Sequence, residues 1–177
     1  SGLFGNHPLL LLGDESAPSM SEMENAKLAL ASVWSYACIR AISTHAADIP
    51  VRASLLDEAN QPIALKDSDP VQQLVYRPNA LETWNEFVES AFFYQDLWGH
   101  VPSHVIRDKT SKNVISYKTV RPDYLIVEGS NDSSSPVKGY LFEDPLAGRA
   151  PVRIPVEDII LVRHFSPLHG VLGLAPA

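Results

Sequence analysis

Tyr76-Arg77-Pro78-Asn79-Ala80-Leu81-Glu82-Thr83, running into Trp84-Asn85-Glu86-Phe87 and on to Leu97-Trp98-Gly99, is the stretch that decides the fold. Pro78 lacks an amide proton and restricts the residue before it, so a helix that reaches Tyr76 must stop there. Thr83 and Glu86 stand at the spacing of a capping box, which predicts a new helix from Trp84. Along it Trp84, Phe87, Val88, Ala91, Gln95 and Trp98 share a face, and Gly99 supplies the left-handed turn that ends it. An aromatic stripe at this spacing is core packing, so no cofactor site is assigned to it.

Working upstream, Asp69 is an N-cap followed by Pro70 in the first turn, with Val71, Leu74 and Val75 as a short apolar face. Val51–Leu56 reads as a strand, Asp57–Gln61 as a turn and Pro62–Leu65 as a returning strand, a hairpin that presents Arg52 and Ser54 on one face. Before it, Asn25 to Ile49 reads as one helix closed by Pro50. Leu28, Ala31, Ser35, Cys38, Ile42, Ala46 and Ile49 keep a three-four spacing, and Leu30, Trp34, Ala37 and Ala41 widen the stripe. Two apolar sides predict a heavily buried helix. Residues 1–23 read as an irregular arm broken at Gly5, Gly13 and Pro18, and its Leu9-Leu10-Leu11-Leu12 patch either docks, on this molecule or on a neighbour, or frays.

Downstream of Gly99 the pattern turns to short strands: Val101–Arg107, Val114–Val120, Tyr124–Glu128, Val137–Phe142, Val152–Ile154 and Ile159–Arg163. Asp108-Lys109-Thr110-Ser111-Lys112-Asn113 makes the first pair a hairpin, and the serine-rich 129–135 is a loop. Ile159-Ile160-Leu161-Val162 is apolar on consecutive residues, which predicts a strand covered on both faces. The fold class is α+β: two main helices packed on short, mostly antiparallel strands and hairpins, with residues 24–177 as one domain.

Composition narrows the function. The chain has 177 residues, 45% hydrophobic and 20% charged, enough for one real core. A net charge of −7 argues against indiscriminate binding to nucleic-acid phosphates, which needs clustered Lys and Arg. Cys38 is the only cysteine, so a disulfide framework and a thiolate metal site are excluded, and synthesis in a reducing, intracellular compartment is expected. The run from His7 to Leu12 is too short to span a bilayer. His100 and His104 share a strand face but lack further ligands nearby, so no metal is expected. Ser166 lies between His164 and His169 without a nucleophile-elbow pattern. Asp67-Ser68-Asp69 is explained by helix capping, and Glu143-Asp144 and Glu157-Asp158 are solvated turns. No catalytic residue and no cofactor are assigned.

In order, Ala47-Asp48-Ile49-Pro50, Arg77-Pro78-Asn79, the Thr83-led helix with Glu86-Phe87, its end at Gly99, the hairpins, Glu157-Asp158-Ile159-Ile160, His164, Gly170 and Pro176 form a set. That set resembles the portal proteins of tailed bacteriophages, of the Hong Kong 97 type, from Ala26 to Ala177. It departs at Gly99-His100-Val101-Pro102, where the family has a Gly-Asn-Ala-Tyr-like turn, and in the register of Leu161-Val162-Arg163-His164. The resemblance implies a structural, non-enzymatic role in a dodecameric ring at a capsid vertex of the virion, made in the bacterial host cytoplasm. DNA is packaged and ejected through that ring. This chain would be the wing, with stem, clip and crown absent. Partners would be further copies, with terminase, capsid or scaffold and head-tail adaptor proteins engaged mostly elsewhere, and no membrane. Candidate subunit contacts are Leu9–Leu12, Arg52 and Ser54. The competing readings are a small hydrolase using Ser166 with a histidine, and an adaptor module with an exposed apolar groove.

Overall fold

A computed structural model describes residues 20–130, 132, 136–143, 150–166 and 172, with side chains from Glu24 onward. The described elements are α1 (Met20–Ala31), α2 (Val33–Ala47), β1 (Ser54–Leu56), β2 (Pro62–Ala64), α3 (Pro70–Tyr76), α4 (Trp84–Trp98), β3 (His100–Arg107), β4 (Val114–Thr119), β5 (Leu125–Gly129), β6 (Val137–Phe142), β7 (Val152–Ile154) and β8 (Ile159–Arg163). The fold is α+β. Every described strand pair is antiparallel, in the orders β1-β2, β4-β3-β8 and β5-β6-β7.

α4 forms as its caps dictate. The Thr83 hydroxyl accepts from the Glu86 amide, Glu86 Oε2 accepts from the Thr83 amide at 2.7 Å, and Gly99 closes the helix at φ 77°. The helix then lies between α2 on one side and β3 with β4 on the other. Leu97, Val101 and Val105 are buried at this junction. The Phe87 ring meets Tyr117 edge-on at 5.0 Å. A second core lies across the sheets: Val120, Leu125, Val127, Tyr140, Ile154 and Ile159 bury one another, with Val137, Phe142, Leu161 and Leu172 packed around them.

Four expectations are corrected. The helix read from Asn25 to Ile49 is two helices, because Ser32 adopts an extended conformation and its hydroxyl caps α2 by accepting from the Ser35 amide at 3.3 Å. α1 starts at Met20, inside the segment read as irregular. The α1–α2 pair is not heavily buried: α2 turns its small residues, Ser43 and Ala47 among them, toward the core, while Leu28, Trp34, Ile42 and Ile49 face solvent. Finally, β8 is covered on one face only. It is an edge strand; Ile159 is buried and Leu161 half-buried, while Ile160 and Val162 are 55% and 47% exposed.

Candidate assembly surfaces

The link between α3 and α4 is a clasp on β4. Pro78 is fully buried, and its carbonyl accepts from the Tyr117 amide at 2.9 Å. Asn79 Oδ1 accepts from the amides of Leu81 and Glu82, an Asx turn that sets the approach to Thr83. Its Nδ2 donates to Glu82 Oε2 at 2.6 Å and to the Tyr117 carbonyl at 3.1 Å. The Tyr117 hydroxyl donates to the Leu74 carbonyl at 3.0 Å. Tyr117 thus fastens one strand to both ends of the link. Arg77, the C-cap of α3, is exposed and takes no part in the clasp beyond its amide, which donates to the Gln73 carbonyl at 2.9 Å. The sequence signals Pro78 and Asn79; nothing in it signals Tyr117, which reads as an ordinary strand residue.

Among the described residues, the hydrogen bonds that hold the β1–β2 hairpin beyond its strand pairing lie at its base and its turn. Ala53 donates to the buried Gln72 Oε1 at 3.0 Å, and Leu65 donates to the Ala53 carbonyl at 3.2 Å. At the turn, Asp57 Oδ1 accepts from the amides of Ala59 and Gln61, and Asn60 takes the left-handed conformation at φ 58°. Every residue of both strands is exposed. Leu55 pairs with Ile63 on one face, and Ser54 with Ala64 and Leu56 with Pro62 on the other. Arg52 is exposed and lies two residues before β1, which begins at the exposed Ser54. Leu9–Leu12, Gly170 and Pro176 lie outside the described residues.

The remaining candidates divide by environment. Burial pushes the His100 imidazole below its ordinary value of 6.5, and its Nδ1 lies 3.0 Å from the Trp98 carbonyl. His104 is lowered by burial and by the nearby Lys118 ammonium. Both are thereby biased toward the neutral form. His164 Nε2 stands 3.7 Å from Asp96 Oδ1, which joins the end of β8 to α4; His169 lies outside the described residues. Among the described residues, no group of three or more His, Cys, Asp or Glu is placed to hold a metal ion. Asp69 caps α3 by accepting from the Val71 amide at 2.9 Å. Asp158 pairs with Arg107 at 2.9 Å. Arg40, Arg121 and Arg153 likewise meet Glu89, Asp123 and Glu128. No helix among the described residues is long and apolar enough to cross a membrane.

An α+β unit whose distinctive features are a clasped helix start and bare apolar elements, with Arg40, Arg107, Arg121 and Arg153 matched to carboxylates, is a structural module. The chain belongs to the phage portal protein family: the family's model matches residues 34–177. Among solved structures, it is similar to a chain described as the neck of a native GTA particle computed with C12 symmetry. The TM-score is 0.70 at 17% identity, over 90% of this chain and 40% of that one. A chain from the neck of an empty GTA particle computed with C6 symmetry gives 0.68 at 18% identity, over 94% of this chain and 41% of that one. One from the virion of a native gene transfer agent particle gives 0.66 at 18% identity, over 94% and 40%. At these identities the likeness is one of fold. The chain spans about 40% of the length of the structures it matches. A comparison with curated proteins gives no match.

Proposed function

We propose that this chain is the wing portion of a portal protein of the Hong Kong 97 type, a structural component of the ring at the capsid vertex through which DNA is packaged and ejected. The observation that carries this reading is the family match over 34–177. The cyclic symmetry of the neck structures that share the fold supports self-association into a ring. In this reading the protein works by assembly rather than turnover, resides in the virion, and is made in the bacterial host cytoplasm. The wing runs from the start of α1 at Met20 onward, and the preceding arm, with Leu9–Leu12, reaches a neighbouring copy. Arg52 and Ser54, at the base of the exposed hairpin, are subunit contacts. Terminase, capsid and adaptor proteins engage other parts of the full-length protein.

The charge pattern suits such a role. DNA moving past a subunit is slowed by each bare Lys or Arg that neutralises a phosphate. This chain carries 21 acidic against 14 basic residues, a net charge of −7, and so has no excess of basic groups to trap phosphates. The test is electron microscopy of the purified full-length protein. Closed rings are expected, with Ser166→Ala forming them as well as the unaltered chain. Monomers that persist across a wide range of salt and protein concentration overturn the reading.

A further inference from the structure

Among the described residues, two apolar surfaces are left bare, and they are opposite in shape. The first is the outer side of α1 and α2, where Leu28, Trp34, Ile42 and Ile49 stand exposed around the small residues Ala37 and Ala41. On α2, residues 34, 38, 41 and 45 fall on one side, and that side is turned away from the buried Ser43 and Ala47 that face the core; Ile49 follows just beyond the C-cap Asp48. Ala37 and Ala41 add little height to this surface, with the exposed Trp34 near the helix start and Ile42 at its border. The second surface is the β1–β2 hairpin, with Leu55 and Ile63 on one face and Leu56 and Pro62 on the other, all exposed. Its strands pack chiefly on each other. A lone two-stranded hairpin is marginal in water, so this one needs a cover.

We infer that the hairpin of one copy docks onto the α1–α2 outer stripe of the next copy around the ring. The inference rests on the ring-forming reading above and adds which faces meet. A closed cyclic ring uses one interface repeated head to tail, so each copy must carry two different, complementary faces. A protruding apolar ribbon and a shallow apolar stripe on the same chain meet that requirement, whereas two copies of either alone do not. Charge agrees with the match. Lys27 lies beside Leu28 on α1 and Glu58 at the hairpin tip, and among the described residues neither has an ion-pair partner. Single exposed side chains need no explanation, whereas several large apolar side chains exposed on neighbouring turns are what an interaction site presents.

Cys38 provides the probe, because it is exposed on the stripe and is the only cysteine in this sequence. Leu55→Cys, Leu56→Cys and Ile63→Cys are introduced one at a time into the full-length protein. After assembly and mild oxidation, at least one is expected to give a ladder of covalent oligomers on a non-reducing gel. Adding Cys38→Ser must abolish that ladder. In a second experiment, Trp34→Glu and Ile63→Asp chains are each expected to fail to close rings, and their equimolar mixture to give heterodimers joined through the one intact interface. Rings that form normally but give no ladder from any of the three variants overturn the docking while leaving the portal reading intact. Trp34→Glu chains that close rings as readily as the unaltered protein overturn the docking in the same way. Absence of rings from the unaltered protein overturns both.

Discussion

Helices α2 and α4 have equal length, 15 residues each, and both carry more apolar residues than one face requires, yet they end in opposite environments. α4 is gripped from two sides, by α2 and by β3 with β4, so most of its residues are at least half-buried. α2 touches the rest of the described chain along one side only, and Trp34 on its other side is 83% exposed, against 2% for Val101 beneath α4. The local rules for making a helix are satisfied in both. What differs is whether this chain supplies the second partner. Excess apolar periodicity therefore does not by itself tell a buried helix from one with an apolar side that the described residues leave uncovered.

Truncation inside the covered region gives the largest effect. Leu97→Ala removes a buried side chain where α4 meets β3, and we expect a loss of about 3 kcal/mol in urea-denaturation stability, from the transfer and cavity terms together. A loss below about 1 kcal/mol would show that α4 is not the centre of the fold and would erase the contrast with α2. Asn79→Ala comes next, at about 2 kcal/mol. It removes the Asx turn before α4 and leaves the Tyr117 carbonyl without its side-chain donor. Thr83→Ala should cost about 1 kcal/mol by opening the capping box, with no effect on the strands.

The same contrast explains how far the sequence can be read. Strands β6, β7 and β8 fall where short apolar runs bounded by turn residues put them, and α4 starts and stops at Thr83 and Gly99 as its caps require. These are local signals. The break at Ser32 is hidden because the three-four spacing continues across it: Ser32 still donates to the Leu28 carbonyl and accepts from Tyr36, so a helix-like ladder spans the kink. Gln72 and Tyr117 are illegible for another reason, since what they hold lies 19 and 43 residues away in sequence. Apolar periodicity overstates burial at α2 and β8 alike: both are apolar on more than one side, and the described fold packs only one side of each. Of the candidate contacts, Arg52 is displaced from the strand by the late start of β1, while the exposure of Ser54 is legible from the hairpin pattern.

Acid sharpens the comparison from the covered side. His100 is buried and its pKa is held below 6.5, so the unfolded chain takes up a proton that the folded chain resists. Stability is then fully present above about pH 6.5 and falls as the pH drops below it, because the unfolded state binds more protons there. His104 contributes in the same direction. The carboxylates with lowered values, Glu86 and Asp108, act below their ordinary 4.5 and 3.8, so a decline between pH 6.5 and 4.5 is set by the histidines. The urea midpoint should drop from about pH 7 to about pH 5, and His100→Gln should flatten that drop. An unchanged slope in the variant would move the proton uptake elsewhere.

The smallest expected change in the stability of the isolated chain is at the most exposed large side chain of the bare region. Trp34→Ser leaves the α2–α4 seam untouched, so the unfolding free energy of the unassembled chain should move by no more than about 0.5 kcal/mol. A fall comparable to that of Leu97→Ala would mean that Trp34 is covered within the chain itself, and the distinction between the helices would collapse. With stability held, any loss of association in the full-length protein has to come from the surface rather than from the fold.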